Sequence, residues 1–387
     1  MNVATREFIA AHLKDDVPTL ALRKVPADVD LALALRQIEA RQLMQKKVPS
    51  WSNNVDLLFP AKISIEQCSS ESTAAYKAEW LKGDVFIDLT GGLGVDCFAI
   101  SKHFKHSTYV ETNADLCEMA KHNFSVLQAS IEVKNAQAEA YLSQCEPVDC
   151  IFLDPARRDN AGRKVFQIAD CTPDVLQFQE QLLQKAQTVM LKLSPMLDIS
   201  QALKQLKSVK AVHVVAVANE CKELLFVQER DYAGETVFHC VNLETHQPRL
   251  RFVNGEENDI FLKLADGVDA YLYEPNAALM KAGFFKSLAQ QYDVLKLHRN
   301  SNLFTSDKLI KDFPGRVFAV EAWAPFGKKA NKDLLAGLEG ASITVRNFPM
   351  SAEELRKSLK LSESDVVFLF ATTIKGDQKV LIKTKKA

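Results

Sequence analysis

Short apolar runs alternate with amphipathic stretches through the middle of the chain, from Ser69 to about Arg230. Each run is short and bounded by polar residues, as expected of a buried strand. The seven runs are Val85–Leu89, Thr108–Glu111, Ile131–Val133, Cys150–Leu153, Val189–Leu193, Val212–Val217 and Leu224–Val227. Between most of them, apolar residues recur with helical period. This alternation predicts an α/β fold in which helices cover both faces of a parallel sheet.

The two ends of the chain have a different pattern. The first 68 residues are predicted to be helical, with the clearest helical period at 28–47. The last two apolar runs are joined by 218–223, which is too short for a crossover helix, so we expect them to pair antiparallel at the sheet edge. Beyond them the strand signals are shorter, and helices are predicted at 277–291 and 352–359.

Charge is distributed unevenly along a chain that is nearly neutral overall. The 48 Lys and Arg against 49 Asp and Glu give a net charge of −1, which excludes a polycation. Residues 313–387 carry 13 Lys and Arg against 8 Asp and Glu, so this region is at +5 and the remainder at −6. A basic terminal region on an acidic body indicates a polyanionic partner, and the alternative is a solvated lysine-rich surface.

Cysteine spacing and hydropathy give expectations about compartment. The eight cysteines form no CxxC pair and the N-terminal residues lack a secretory signal, so a reducing cytoplasm is expected. The apolar runs are far shorter than the roughly 20 residues that cross a bilayer. His103 and His106 have no Cys or acid at ligand spacing, so no metal site is expected.

The strongest local motif is the glycine-rich turn that follows the first predicted strand. Asp88 and Thr90 precede Gly91, Gly92 and Gly94, and a helical pattern begins directly after them. Glycines at such a turn let the backbone and the helix N–H groups approach a ligand. The spacing is GGxG, not the GxGxxG of dinucleotide binders. Packing alone can also require glycine at a tight turn.

An acid at the end of the second predicted strand favours a ligand that contains a nucleoside. Glu111 lies 23 residues after Asp88, where a carboxylate can accept both hydroxyls of a ribose. The alternative is an exposed acid at the end of a strand. After the third strand, the Gln137 amide and the backbone near Ala138 are candidates to flank an adenine.

The fourth predicted strand ends in an acid followed by proline. Asp154 and Pro155 are expected at the carboxyl edge of the sheet, where open α/β sheets bind ligands. Arg157 and Arg158 follow them. These arginines can bind phosphate in bidentate fashion, and the alternative is an ion pair with a neighbouring aspartate.

In order and spacing, these residues resemble motifs I to IV of class I S-adenosylmethionine-dependent methyltransferases. The resemblance covers about 69–232 and implies a Rossmann-like seven-stranded sheet with an antiparallel edge strand. It implies S-adenosylmethionine as cofactor, with Asp88 and the glycine turn at the methionine end, Glu111 on the ribose and Gln137 at the adenine, where an acid is more frequent. The implied cofactor-binding residues are Asp88, Thr90, Gly91, Gly92, Gly94, Glu111, Gln137, Ala138 and Asp154.

The flanking sequences extend the resemblance. The peptides SSESTAAYK, LDPARRD, LKLSPMLD, NECKELL and YLYEPNAALMKAGFF are similar to those of bacterial proteins in which a methyltransferase precedes small ferredoxin-like and THUMP-like α+β domains. The implied segments are a helical region 1–68, the methyltransferase 69–232, a connection 233–270, a ferredoxin-like module 271–312 and a basic THUMP-like domain 313–387. THUMP domains accompany RNA-modifying enzymes, which implies tRNA or rRNA as the partner.

One hypothesis for the chemistry is methylation of a base amino group. In amino-group methyltransferases with an Asn/Asp-Pro-Pro-aromatic motif, an acid and a proline carbonyl accept hydrogen bonds from the amine. Asp154 and Pro155 match the first two positions. Ala156 and Arg157 stand where the second proline and the aromatic residue would be, and Phe166 is the candidate substitute for stacking.

The other hypothesis is methylation of a ribose hydroxyl. Lys77, Asp154, Lys192 and Glu223 occur in the order of the Lys-Asp-Lys-Glu set of ribose 2′-O-methyltransferases, with Glu220 competing for the last place. Lys192, inside a buried strand, would serve as the base if its pKa were lowered. The alternative is that Lys192 is a structural ion-pair partner of Asp154.

Two other classes of protein compete with a methyltransferase. A nicotinamide-dependent oxidoreductase would share the glycine turn and Glu111, but the GGxG spacing and the Asp154-Pro155 pair disfavour it. A non-enzymatic RNA-binding protein with a relic cofactor fold is disfavoured by the intact motif residues.

Overall fold

The structure, a computed structural model, describes residues 1–60, 62–157 and 167–387. The chain forms two compact units. Unit 1 consists of Met1–Val212 and Glu223–Gly234, and unit 2 consists of His213–Lys222 and Glu235–Ala387. Each unit is described by itself below.

Unit 1 begins with helices, as predicted. They are α1 (Val3–Ala11), α2 (Val17–Ala21), α3 (Leu31–Lys47), α4 (Pro49–Ser52), α5 (Lys62–Gln67) and α6 (Glu71–Ala78). The Asp30 side chain caps α3 by accepting from the Leu33 N–H, and the helix ends just before Pro49, which disfavours helical backbone at the preceding residue. The buried Arg41 of α3 donates to the carbonyls of Val55 and Leu57 and so fixes the chain that follows.

Strands and helices then alternate. The elements are β1 (Val85–Asp88), α7 (Val95–Ser101), β2 (His106–Glu111), α8 (Ala114–Val126), β3 (Ile131–Asn135), α9 (Ala138–Gln144), β4 (Val148–Leu153), β5 (Ala156–Arg157), β6 (Cys171–Thr172), α10 (Val175–Lys185), β7 (Ala186–Leu193), α11 (Ile199–Gln205), β8 (Val209–Val217) and β9 (Glu220–Glu229). The strand order is β9-β7-β4-β1-β2-β3. Neighbours from β3 to β7 are parallel, and β7 pairs antiparallel with β9. The predicted α/β fold is confirmed.

The last two predicted strands of the sheet, β8 and β9, form the expected hairpin, but they do not lie at the edge of the sheet. The two strands are neighbours joined by Ala218 and Asn219, whose φ angles of 47° and 69° are typical of a type I′ turn. The prediction that this pair ends the sheet is wrong. In unit 2, which includes residues 213–222, β10 (Val237–Leu243) and β11 (Leu250–Val253) continue the strand order beyond β8. These short strands follow the end of the strand–helix alternation, so the pattern carried no sign of their pairing.

The rest of unit 2 is built around one seven-stranded sheet. Its elements are β12 (Tyr271–Pro275), α12 (Ala277–Ala282), α13 (Phe285–Tyr292), β13 (Leu295–His298), β14 (Ser301–Ser306), β15 (Gly315–Pro325), α14 (Lys328–Leu334), β16 (Ser342–Arg346), α15 (Ala352–Leu359), β17 (Phe368–Ile374) and β18 (Gln378–Lys386). The strand order is β13-β14-β12-β15-β18-β17-β16. Because β12 pairs with both β14 and β15, residues on either side of position 313 share one sheet.

Two helix predictions in unit 2 have different outcomes. The helix at 352–359 is confirmed, and Ser351 and Glu354 form a capping box at its start. The single helix predicted at 277–291 is wrong, because Gly283 has a φ of 87° and ends α12 before α13 begins. Left-handed backbone at this position stops the helix, as glycine commonly does.

Two histidine rings are stacked in unit 2. The ring centroids of His213 and His239 are 4.7 Å apart, and His213 is fully buried. Burial lowers the pKa of His213 well below its ordinary value, and the nearby His239 lowers it further. Burial and Arg251 also lower the pKa of His239. Both rings are therefore neutral in the folded protein near pH 7.

We expect this pair to make stability fall in mild acid. A folded-state pKa below the unfolded value of about 6.5 means that the unfolded chain binds protons first. The contribution of the pair to the free energy of unfolding is therefore fully present above that pH and is lost as the pH falls from there through the folded-state pKa. The slope is at most about 1.4 kcal/mol per pH unit for each ring. Urea unfolding of the wild type and of His213→Phe between about pH 5 and pH 7.5 measures it, and an equal slope in both would contradict the expectation.

Candidate functional site

Glycines shape the turn after β1, for two different reasons. A Cβ at Gly91 would lie 2.1 Å from the Tyr109 ring, and one at Gly94 would lie 2.8 Å from the Phe124 ring. Packing against β2 and α8 therefore requires glycine at both positions. Gly92 has a φ of 54°, and the nearest atom to an added Cβ is 3.8 Å away, so here backbone conformation rather than crowding favours glycine.

Glu111 is held against this turn by hydrogen bonds. Its carboxylate accepts from the Gly92 N–H at 3.0 Å and from the Asn113 N–H at 2.9 Å. The Tyr109 hydroxyl donates to the Gly92 carbonyl at 2.6 Å. The structure thus brings Glu111 and the glycine turn together, with the carboxylate already oriented and only partly buried.

Asp88 and Asp154 are connected through one threonine. Asp88 is buried and accepts the Thr90 N–H at 3.0 Å, and burial raises the pKa of its carboxyl group well above the ordinary value. The Thr90 hydroxyl accepts the Asp154 N–H at 2.6 Å. This contact ties the end of β4 to the glycine turn, so the two motifs lie side by side at the carboxyl edge of the sheet.

Lys192 on β7 forms an ion pair with Asp154, through the carboxylate oxygen Oδ2. Burial alone would lower the pKa of Lys192. The carboxylate of Asp154 and those of Asp96 and Glu223 outweigh burial and raise this pKa above its ordinary value. The condition for a lysine base, a lowered pKa at Lys192, is therefore not met, and the ion pair with Asp154 matches the alternative hypothesis.

Lys77 and Glu223 are also brought together, in a buried ion pair. The Lys77 ammonium is fully buried, 2.6 Å from Glu223 and 3.2 Å from Asp96. Glu223 is itself buried, and burial raises its pKa although Lys77 opposes the shift. Both side chains are thus buried in one ion pair, and a catalytic role for them stays a prediction. Glu220, the competing acid, is exposed and pairs with Lys222 instead.

Asp96 is a member of this cluster that the sequence analysis missed. It lies in the first turn of α7, accepts the Ser69 hydroxyl at 2.6 Å and pairs with Lys77. Burial would raise its pKa, but Lys77 and Lys192 lower it on balance. The sequence shows an acid two residues after Gly94, but acids are also common in the first turn of solvent-exposed helices, so its position alone did not indicate a buried ion pair.

The remaining predicted residues lie around the same edge. Gln137 is exposed at the start of α9, and Ala138 behind it is buried. The Ala136 N–H donates to the Glu111 carbonyl at 3.1 Å, which brings this loop beside Glu111. Pro155 is buried after Asp154. The Arg157 side chain, Arg158 and Phe166 lie outside the described residues.

Two further observations concern metals and membranes. Among the residues that the structure describes, no group of three or more His, Cys, Asp or Glu side chains is arranged to hold a metal ion. In the same parts of the chain, no helix combines the length and the apolar character needed to cross a bilayer.

Three family models match successive parts of the chain. They are described as Conserved hypothetical protein 95 at residues 70–222, a ferredoxin-like domain at 271–314 and a THUMP domain-like family at 315–386. No curated protein matches the chain.

Solved structures provide a full-length relative. A Porphyromonas gingivalis W83 protein assigned to the methyltransferases is 33% identical, with 100% of this chain and 98% of that chain covered and a TM-score of 0.89. Partial likenesses include TrmK from M. capricolum with S-adenosyl-homocysteine, at 8% identity, 41% and 68% coverage and a TM-score of 0.33. The Pyrococcus abyssi tRNA (uracil-54, C5)-methyltransferase has 13% identity, 45% and 40% coverage and a TM-score of 0.29.

The parallel sheet, the glycine turn held by Glu111 and the acid at the end of β4 define a class I S-adenosylmethionine-dependent methyltransferase. Across essentially its whole length, the chain belongs to the same family as the Porphyromonas gingivalis protein. In this chain the methyltransferase-type part is followed by ferredoxin-like and THUMP-like segments.

Proposed function

We propose that this enzyme methylates RNA, either tRNA or rRNA, and that the acceptor is a base amino group oriented by Asp154. The observation that carries the proposal is the position of Asp154, which Thr90 ties to the glycine turn while Lys192 forms an ion pair with its carboxylate. S-adenosylmethionine, when bound, supplies a methyl group on a sulfonium for in-line transfer. The protein must then align an acceptor with it.

The residues present fit this cofactor. Glu111 offers a pre-oriented carboxylate for the two ribose hydroxyls, because the Gly92 and Asn113 N–H groups fix its direction without covering it. Asp88 and the turn backbone lie beside it, and Gln137 and Ala138 are the proposed adenine contacts. Gly92 is the one glycine of the turn at which an added Cβ would meet no crowding, with the Thr90 carbonyl oxygen nearest at 3.8 Å.

The charge state of Lys192 favours an amine over a ribose hydroxyl. A hydroxyl is a poor nucleophile that needs a base to take its proton, and a lysine with a raised pKa does not supply one near pH 7. An amine needs only hydrogen-bond acceptors, because its proton can leave after the methyl group arrives. With Asp154 Oδ2 paired to Lys192, the other carboxylate oxygen and the Pro155 carbonyl are the proposed acceptors. Arg157 and Arg158 remain proposed phosphate contacts.

Two features support RNA as the substrate. Residues 315–386 match the THUMP domain-like model, and residues 313–387 carry a net charge of +5. A basic surface attracts the phosphate backbone, whose contacts dominate the affinity of nucleic-acid binding. The eight cysteines form no CxxC pair, a spacing that supports a reducing compartment such as the cytoplasm.

Methyl transfer from tritiated S-adenosylmethionine to total cellular RNA tests the proposal. We expect label in RNA, and nucleoside analysis should show it on a base. Label at the ribose 2′-oxygen, which makes the adjacent linkage resistant to alkali, would contradict the amine assignment. Binding of both cofactor and RNA without any transfer would instead identify a non-enzymatic RNA-binding protein.

Glu111→Ala is expected to weaken S-adenosylmethionine binding about ten- to a hundredfold. A hydrogen bond to a charged group is worth roughly 1.5–3 kcal/mol, and the carboxylate is the proposed ribose acceptor. Calorimetric titration measures the affinity, with Glu118→Ala as a matched control because Glu118 is an exposed acid on the following helix, paired with Lys121. Equal affinity for wild type and a folded Glu111→Ala protein would refute the cofactor assignment.

A further inference from the structure

A buried carboxylate in unit 2 holds two arginines. The side chain of Glu274, on β12, is only 4% exposed. Arg316 Nε donates to its Oε2 at 2.7 Å, and Arg316 Nη2 contacts the same oxygen. Arg346 Nη2 lies 2.7 Å from the other oxygen, Oε1. One carboxylate is therefore hydrogen-bonded to one guanidinium and ion-paired with a second, and the two come from different strands.

The sheet itself brings these three residues together. Glu274 and Arg316 are direct partners in the pairing of β12 with β15. Arg346 ends β16 at the far side of the strand order, but β14 contacts β16 and β17, so the sheet curves back on itself. The curvature places the end of β16 beside β12.

The cluster has more positive charge and more donors than its internal contacts use. Two guanidiniums against one carboxylate leave a local charge of +1. Each guanidinium has five N–H donors in a planar fork, and Glu274, together with the Val345 carbonyl that accepts from Arg346 Nη1, engages only some of them. The side chains of Arg316 and Arg346 are 40% and 38% exposed, and Arg316 also lies 5.5 Å over the Phe318 ring, which limits its orientations.

A purely internal ion pair would need only one arginine to neutralise Glu274. The second arginine leaves an uncompensated charge at a partly exposed position, where an anion from outside the chain can balance it. Guanidinium forks match the two free oxygens of a phosphodiester in bidentate fashion. A buried carboxylate that fixes both forks lowers the ordering cost of binding.

We propose that Arg316 and Arg346 form a clamp for a backbone phosphodiester of the RNA, with Glu274 as the buried group that positions both. The inference rests on the proposed function, since it takes RNA as the partner. It places one phosphate contact in the curved sheet shared by the ferredoxin-like and THUMP-like segments, rather than in the many exposed lysines of that region.

Fluorescence anisotropy with a labelled bulk tRNA fraction and full-length protein tests the clamp. We expect Arg316→Gln and Arg346→Gln each to weaken binding about tenfold and to reduce the slope of log affinity against log salt by about 0.7–0.9. Each single variant leaves Glu274 one arginine partner, so the fold is expected to hold, and circular dichroism verifies it. Lys375→Gln is the charge-matched control, because Asp266 already compensates Lys375.

Glu274→Gln separates binding from support of the fold. It keeps both guanidiniums, and the loss of positioning opposes the rise in local charge, so tRNA affinity should change much less than the roughly tenfold loss in the arginine variants and the salt slope should not fall. Loss of affinity equal to that of the arginine variants would overturn the clamp, as would wild-type affinity and salt slope in both arginine variants.

The source of the phosphate is tested separately. If inorganic phosphate raises the melting temperature of the wild type but not of Arg346→Gln, while tRNA affinity is the same in both, the site binds a small anion and the proposal is overturned. Absence of tRNA binding by the wild type would refute the proposed RNA substrate itself, which distinguishes that failure from failure of the clamp.

Discussion

Asp154→Ala is expected to lower methyl transfer to RNA at least about a hundredfold, the usual effect of removing a positioned catalytic group. Affinity for S-adenosylmethionine should change little, because the cofactor contacts assigned to Glu111 and the glycine turn remain. Single-turnover transfer measures the rate, and calorimetry measures the affinity. A folded Asp154→Ala protein with wild-type turnover would remove Asp154 from the mechanism.

Lys192→Met is the companion variant that separates the two chemistries. If Asp154 orients an amine, this variant should retain much of the activity, and the wild-type rate should vary little between about pH 7 and pH 9. A lysine base would instead give a wild-type rate that rises with pH and a variant that is inactive. The raised pKa of Lys192 favours the first result.

Lys77→Met is expected to lower the free energy of unfolding by about 3–5 kcal/mol, the typical cost of removing one partner of a buried ion pair. The variant would leave Glu223 and Asp96 buried without their shared cation. Urea unfolding measures the change. The matched control is Lys222→Met, which breaks the exposed pair with Glu220 and should cost no more than about 1 kcal/mol. If both variants lowered the free energy of unfolding equally, the buried Lys77 ion pair would contribute no more to stability than the exposed one.

The sheet of unit 1 could be predicted because its signals are local. Apolar runs of strand length separated by helical patterns located each parallel strand, and Asp88, Glu111 and Asp154 each stand at the end of one. Since parallel strands have their carboxyl ends at one edge, the meeting of these acids followed from topology. The order of the strands alone was therefore enough to predict that these acids lie close together.

The charge network could not be predicted in the same way. Lys77 and Glu223 are 146 positions apart, and nothing local shows that Asp96 also pairs with Lys77 or that Lys192 faces three carboxylates. A buried lysine alone would have a lowered pKa, and the shift becomes an increase only because several acids lie nearby. The same limit applies to Glu274 and Arg346, which meet because a distant part of the sheet curves.

The pairing of β12 with β15 determines where a domain boundary can be placed in a chimeric protein. A chain that ended after position 312 would leave one side of β12 with unpaired N–H and C=O groups, and such an open strand recruits other copies into aggregates. The ferredoxin-like and THUMP-like segments therefore have to be transferred together. A chimera that gives this methyltransferase another RNA-binding domain needs its junction ahead of β12, although the two family models divide between residues 314 and 315.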